Sequence, residues 1–315
     1  MPSKSTAIHR RQRTGLLFAA PAIALFLVFA AWPIARSFIL GFQEYRVVGD
    51  SDWAGIDNFA SVVGDPFFAR AWWNTAYFAF LALLLGFPVP IALAITINEV
   101  RRGQAFLRLA YFLPVVLPIV VVALLWERFY DVDDGIFNVA INGIGLGGIL
   151  DRLGETSLAA VDPRGWINDK NWAMPSLVFM ATWKGAGATM LIYLAALQSL
   201  SGELYEAAEI DGASVFQRLR RITLPHLVPT MQIILVLQLL GTLQVFLEPF
   251  LMTRGGPGDT QPTLTVLLLI YRYAFNDWNL SWAAAVGFIL FLALVTVALI
   301  QRLLSRQLGG AGSAF

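Results

Sequence analysis

Apolar residues in this chain do not alternate with polar ones; they come in long unbroken runs separated by short polar stretches. Six runs stand out, at roughly 15–38, 74–97, 109–126, 173–197, 228–247 and 283–300. Each approaches the ~20 helical residues needed to cross a ~30 Å hydrocarbon core. The period of two that marks a membrane barrel is missing from them. Helices are also favoured physically, because hydrocarbon offers no partner to a free N–H or C=O. Pro21, Pro33, Pro88, Pro90, Pro114, Pro118 and Pro175 lie within or near the runs. Such breakers are tolerated at membrane depth where neighbouring helices or a cavity re-satisfy the backbone. The expected fold class is an all-α polytopic membrane protein with six transmembrane helices.

Composition agrees with the pattern. The 315 residues are 57% hydrophobic and 14% charged, with a mean hydropathy of +0.66. A soluble domain carries about 25% charge, so this chain cannot clothe a water-facing surface. A net charge of +1, with no basic run interleaved with aromatics, gives nucleic acid no binding groove. The lack of cysteine excludes disulfides, thiolate metal sites and cysteine nucleophiles. His9 and His226, the two histidines, belong to no ligand cluster and read as surface residues. The basic start with Lys4, Arg10, Arg11 and Arg13 imitates a signal peptide, but Gly15 to Ala35 is uncharged over 21 residues. That length suits a retained first helix.

Charge sets the orientation. With the N-terminus inside, the inner segments hold twelve Lys/Arg against five Asp/Glu, and the outer loops eight against sixteen. Both termini are therefore expected in the cytoplasm. Residues 1–14 form a basic tail, 15–301 a six-span domain with a cytoplasmic loop at 198–227, and 302–315 a second tail. Arg36 and Lys184 fall within spans; Arg36 is expected to snorkel towards the outer end of the first. The outer loops 43–71 and 127–172 are acidic, Gly-rich and aromatic, and the second is expected to hold short interfacial helices around Ile136 to Ile141. Leu264 to Ala274 is too short to span and suits an interfacial or re-entrant piece.

The inner loop carries the most specific pattern, S-G-E-L-Y-E-A-A-E-I-D-G-A-S-V-F-Q-R-L-R-R-I-T-L-P over residues 201–225. Glu203 to Ile210 is rich in helix formers. Gly212 suits the left-handed residue that ends such a helix. Ser214 and Gln217 have capping-box spacing and start a second helix, which carries Arg218, Arg220 and Arg221 and is expected to stop near Pro225. Ala207 and Ala208 leave a small, smooth face on which another surface can approach closely. On composition alone this helix–turn–helix fits a solvated connector equally well.

The motif E-A-A-x-x-D-G-A, followed by I-T-L-P, resembles the coupling loop of ABC importer permeases of the binding-protein-dependent branch. Glu206, Ala207, Ala208, Asp211, Gly212 and Ala213 match it position by position, and Ile222 to Pro225 match its end. W-A-G-I-D-N-F at 53–59, Y-F-L-P at 111–114 and W-K-G at 183–185 are similar to stretches of carbohydrate-type permeases. So is L-M-T-R-G-G-P-G-D-T at 251–260, with Met252 as an extra residue in the family's L-T-x-G-G-P pattern. The chain looks like the maltose F-type or glycerol-phosphate A-type subunit, and being shorter than the eight-span maltose subunit it fits the six-span relatives better.

The resemblance implies a type I importer permease in the cytoplasmic (inner) membrane of a bacterium or archaeon. It implies a second permease subunit, a dimer of ATP-binding subunits and an extracytoplasmic solute-binding protein as partners, besides membrane lipid. The only Gly–Lys neighbourhood is Trp183-Lys184-Gly185, which lacks the P-loop pattern, so ATP and Mg are expected on the partner ATPase and no cofactor on this chain. Glu206 is expected to meet a basic residue of that ATPase, and Gly212 to set the turn.

Candidates for a substrate pathway are Trp183, Lys184, Tyr193, Gln238, Thr242 and Gln244, which offer stacking faces and hydrogen-bonding groups inside the spans. Lys184 fits either a cavity residue or a lysine that snorkels or pairs with Glu248 or a neighbouring helix. The others serve helix packing equally well. A membrane-embedded enzyme would need acids or histidines at depth, yet the runs hold no Asp and no His. Other cargoes, such as glycerol phosphate, amino acids, polyamines, phosphate or peptides, use the same class of permease. A reporter fused after residue 306 is expected to be active only in its cytoplasmic form; periplasmic activity there would overturn the orientation.

Overall fold

The computed structural model describes residues 18–46, 51–100, 102–131, 133–143, 166–256 and 260–311. The basic tail with His9, much of the 127–172 loop and Pro257 of the glycine-rich turn lie outside them. The described chain is helical apart from one small hairpin, and it divides into two compact units: residues up to 65 with 270–291, and residues 66–269 with 292 onward.

In the first unit, α1 (Phe18–Leu40) is a candidate span with a π-helical turn at Leu27–Ala31. Arg36 near its end donates to Gln43 Oε1 at 2.6 Å, consistent with a side chain reaching for the polar boundary. The strands β1 (Gln43–Glu44) and β2 (Asp52–Trp53) pair antiparallel, with Gln43 opposite Trp53. Helix α2 (Asp57–Gly64) follows. Asn58, buried, donates to the carbonyls of Gly41 and Gln43 at 3.0 Å each and so fixes the turn out of α1. Phe38, Phe42, Phe59 and Phe288 interlock edge-on or tilted, with centroids 4.8–5.8 Å apart.

The second unit begins with α3 (Pro66–Gly86) and α4 (Pro88–Glu99), which together form one helical stretch of 34 residues. Helices α5 (Gln104–Val116) and α6 (Ile119–Phe129) meet at 100°, so the third predicted run is a bent pair with the geometry of a broken span or of a re-entrant loop. The break sits at Leu117 and Pro118, both in extended conformation. Pro118 has no N–H to donate and disfavours helical geometry at Leu117. Helix α7 (Ile136–Gly143) falls where an interfacial helix is expected. Helix α8 (Ala173–Gln198) packs against α3, α4 and α5.

Beyond α8, α9 (Gly202–Ile210) is followed by α10 (Val215–Arg218). A π-helical turn at Leu219–Thr223 joins α10 to α11 (Leu224–Leu243), and a break at residues 244–246 leads into α12 (Leu247–Met252). The second loop helix therefore does not stop near Pro225, as the sequence suggests; it runs on into the span. The wider turn, closed by the Leu224 N–H on the Leu219 carbonyl, makes room for the proline ring, and Pro225 falls in the first positions of α11, where its missing N–H is harmless. Helix α13 (Val266–Tyr271), extended by a π turn to Asn276, is the predicted short piece, and α14 (Leu280–Ala311) runs beyond residue 301.

Among the described residues, five helices are long and apolar enough to cross a membrane, or six if the bent pair counts as one span. Their outward faces show what a soluble protein hides. Phe29 is 75% exposed, Trp73 72% and Phe106 71%, which suits lipid or another subunit.

The interior of the second unit is close-packed. One cluster gathers Phe78, Val122, Trp126, Met174, Leu177 and Met180; another gathers Ile97, Met190, Tyr193, Leu194 and Leu227. Gly187 of α8 lies against the Tyr111 carbonyl of α5, where an added Cβ would overlap backbone. Gly287 of α14 faces open space. Gly187→Ala is expected to lower the thermal unfolding midpoint of the detergent-solubilised protein, at about 1–3 kcal/mol of overpacking. Gly287→Ala should leave it unchanged; equal midpoints for both would contradict the packing.

Candidate functional site

Two sites emerge from the second unit: the exposed loop between α8 and α11, and a cavity beside the break after α11.

The loop is held by reciprocal backbone and side-chain bonds. Ser201 caps α9 by accepting from the Glu203 N–H at 3.3 Å. At the other end Gly212 has φ +74, a conformation that costs a residue with Cβ roughly 1–2 kcal/mol. The Gly212 N–H donates to Glu209 O at 3.0 Å and the Ala213 N–H to Ala208 O at 2.9 Å, which is a Schellman closure. Ser214 and Gln217 form the expected capping box, at 2.8 and 3.3 Å. Two further contacts brace the arms. Arg218 lies 3.6 Å from Glu209, and the Tyr205 and Thr223 hydroxyls are 2.7 Å apart. His226, half-buried, ties the base through Ala196 O and Ser199 Oγ at 3.0 and 3.2 Å, so it is more than a surface residue.

Glu206, Ala207, Asp211 and Gly212 are exposed, while Ala208 and Ala213 are half-buried beneath them. Ile210, Val215 and Phe216 flank the turn at 87%, 73% and 68% exposure. The turn therefore presents an acidic, small-residue surface rimmed by bare apolar side chains.

The cavity, about 520 Å³, is walled by α3, α8, α11 and the break at residues 244–246. Its polar lining includes Thr182, Thr189, Gln238, Thr242, Gln244 and Glu248, with Phe78 and Phe246 as aromatic faces. Gln238 Nε2 donates to Ala82 O at 2.7 Å, a reach that Gly86 permits by having no Cβ. Thr242 and Gln244 donate back to Leu239 O and Leu240 O at 3.0 Å each. Irregular backbone at membrane depth is tolerated where it lines such a space.

Of the six sequence-derived pathway candidates, Gln238, Thr242 and Gln244 meet at this cavity. Trp183 lines a separate, largely apolar pocket beside α5 and stacks edge-on against Trp126, with centroids 5.4 Å apart. Tyr193 is fully buried in the packed core. Lys184 lines neither space; its ammonium donates to Val115 O at 3.3 Å, at the broken end of α5. The carbonyls of the last helical turn have no intrahelical donor, and the lysine supplies one.

Glu248 was counted among the outer-loop charges from sequence alone. Its signal was nonetheless present: it is the only charge in the apolar stretch from Leu239 to Met252.

An apolar helical protein with a polar cavity at a helix break and a stiff exposed turn has the build of a membrane transport component. The family described as "Binding-protein-dependent transport system inner membrane component" matches residues 86–309, more than half of the chain. The chain belongs to that family, the inner-membrane, multi-pass permeases of ABC importers. It is similar to the lactose transport system permease of Rhizobium radiobacter, 32% identical over 97% of this chain and 98% of the relative. It is also similar to the arabinooligosaccharides transport system permease of Bacillus subtilis, 31% identical over 96% and 92%. Among solved structures, a bacterial ABC transporter that imports the acidic polysaccharide alginate has a chain that superposes with a TM-score of 0.75, at 28% identity. The match covers 96% of this chain and 99% of that one.

Lys184→Met is expected to lower the unfolding midpoint by an amount equivalent to about 1–2 kcal/mol, because the Val115 carbonyl loses its donor. Lys184→Arg should retain most of the stability in the same thermal measurement.

Proposed function

We propose that this chain is one of two permease subunits of an ATP-driven importer for a sugar or sugar-like solute. A solute-binding protein delivers the cargo from outside, and a dimer of ATPases at the cytoplasmic face supplies the energy. Both termini and the loop at 198–227 lie in the cytoplasm. The sugar assignment rests on similarity to permeases named for lactose and arabinooligosaccharides. A solved complex of the alginate transporter with a pentasaccharide-bound periplasmic protein supports the delivery step; its chain has a TM-score of 0.75 at 29% identity.

The observation that carries the mechanism is the continuity of the loop with the span. The Schellman closure and capping box fix α9 to α10, and α10 passes without interruption into α11. Glu206, Ala207, Ala208, Asp211, Gly212 and Ala213 form the surface that the ATPase grips. When ATP closes the ATPase dimer, displacement of this surface carries α11 with it, and α11 walls the cavity. The two access states shift only because ATP binding favours one of them. Gln238, Thr242 and Gln244 contact the solute, Lys184 holds the broken span together, and Trp183 and Tyr193 pack the helices that frame the path.

The test is Gly212→Val in importer reconstituted with its partner subunits. A Cβ at residue 212 meets open space, so the substitution acts through backbone strain alone. Membrane insertion should stay near wild type while uptake and binding-protein-stimulated ATPase activity fall at least tenfold. Gly212→Asn, which tolerates the left-handed region, should retain more. Normal uptake by the valine variant would count against the coupling role.

A further inference from the structure

The geometry points to Glu248 as the side chain that restricts the cargo to sugars carrying no anionic group. This rests on the proposal that the cavity beside the break after α11 is the sugar path, and it names the substrate class of that path.

Glu248 is the one charged residue among the described residues lining the cavity; every other polar lining group is a hydroxyl or a carboxamide. No cation lines it. Lys184 has its ammonium on Val115 O and does not line the cavity.

What remains at the wall is a half-buried acid beside threonine and glutamine groups and two phenylalanine rings. A carboxylate accepts charge-assisted bonds from two hydroxyls of a vicinal diol at once. Toward a cargo carboxylate, sulfonate or phosphate it has no donor to give and opposes like charge in a confined space where water screens poorly. Attraction of the diol and repulsion of the anion act together, which is how selectivity between close analogues arises. An acidic polysaccharide of the kind the alginate importer carries is the class that this arrangement rejects.

The chain contains no cysteine, so Thr189→Cys, at a lining residue outside the proposed solute contacts, places a single thiol of this subunit at the cavity wall. In the reconstituted importer, its modification rate is measured with a trimethylammonium and a sulfonate methanethiosulfonate, each normalised to its rate with a small free thiol. Cellobiose, lactose and their aldonic acids serve as protecting ligands.

The expected result is a preference for the cationic reagent of about tenfold, with protection by a neutral disaccharide and none by its aldonate. Glu248→Gln should collapse the preference to within about twofold, and Glu248→Asp, which keeps the charge, should preserve it. An unbiased or anion-favouring rate in the wild-type background overturns the inference, as does equal protection by the aldonate. If the cation preference holds but no sugar protects the thiol, and its modification leaves sugar uptake intact, the cavity is not the sugar path. The underlying assignment then fails, and the inference fails with it.

Discussion

The need to give every main-chain polar group a partner in hydrocarbon governs this structure. Continuous helices meet it by themselves; breaks do not, and several breaks among the described residues of the second unit are answered by a side chain from elsewhere. Lys184 reaches the open end of α5. Asn74 of α3 donates to the carbonyls of Gln261 and Leu264, and Thr75 accepts from the Val266 N–H at 3.0 Å. Thr265 donates to Val245 O at 2.9 Å, inside the break beside the cavity. Asn74, Thr75 and Thr265 are buried, so these bonds form out of reach of water.

The same constraint explains where function can reside. A cavity at membrane depth needs backbone that is not helical, and non-helical backbone needs fixed partners. Holding residues 244–246 open therefore brings Gln238, Thr242, Gln244 and Glu248 to one wall. The exposed turn at Gly212 follows a different rule. It sits outside the apolar stretches, is closed by its own backbone with Ser214 and Gln217, and is braced at its arms and base by Arg218, Tyr205 and His226.

Much of this was legible in the sequence. Unbroken apolar runs located the spans to within a few residues for α8, and the spacing of Ser214 with Gln217 and the glycine at 212 foretold both halves of the turn. Gln238, Thr242 and Gln244 were identifiable as polar groups in an apolar helix, though not as neighbours of Thr182 and Glu248, because that proximity is tertiary. Two readings needed the structure for a physical reason. Pro118 breaks its helix sharply while Pro225 does not, since what decides is whether the preceding turn can widen, and that depends on packing. Lys184 fits a cavity residue and a packing lysine equally well in the sequence, and the structure gives its ammonium to a backbone carbonyl.

The broken α5–α6 pair also bears on how the chain is assembled. Neither half is long enough to cross the bilayer alone, and the donor that satisfies the break lies on α8, which the ribosome makes later. Until α8 arrives, the pair carries an open carbonyl end that the lipid cannot satisfy. The order of synthesis thus puts the chain's central helix after the pair, and the Val115 carbonyl gains its lysine partner only once that helix has been made.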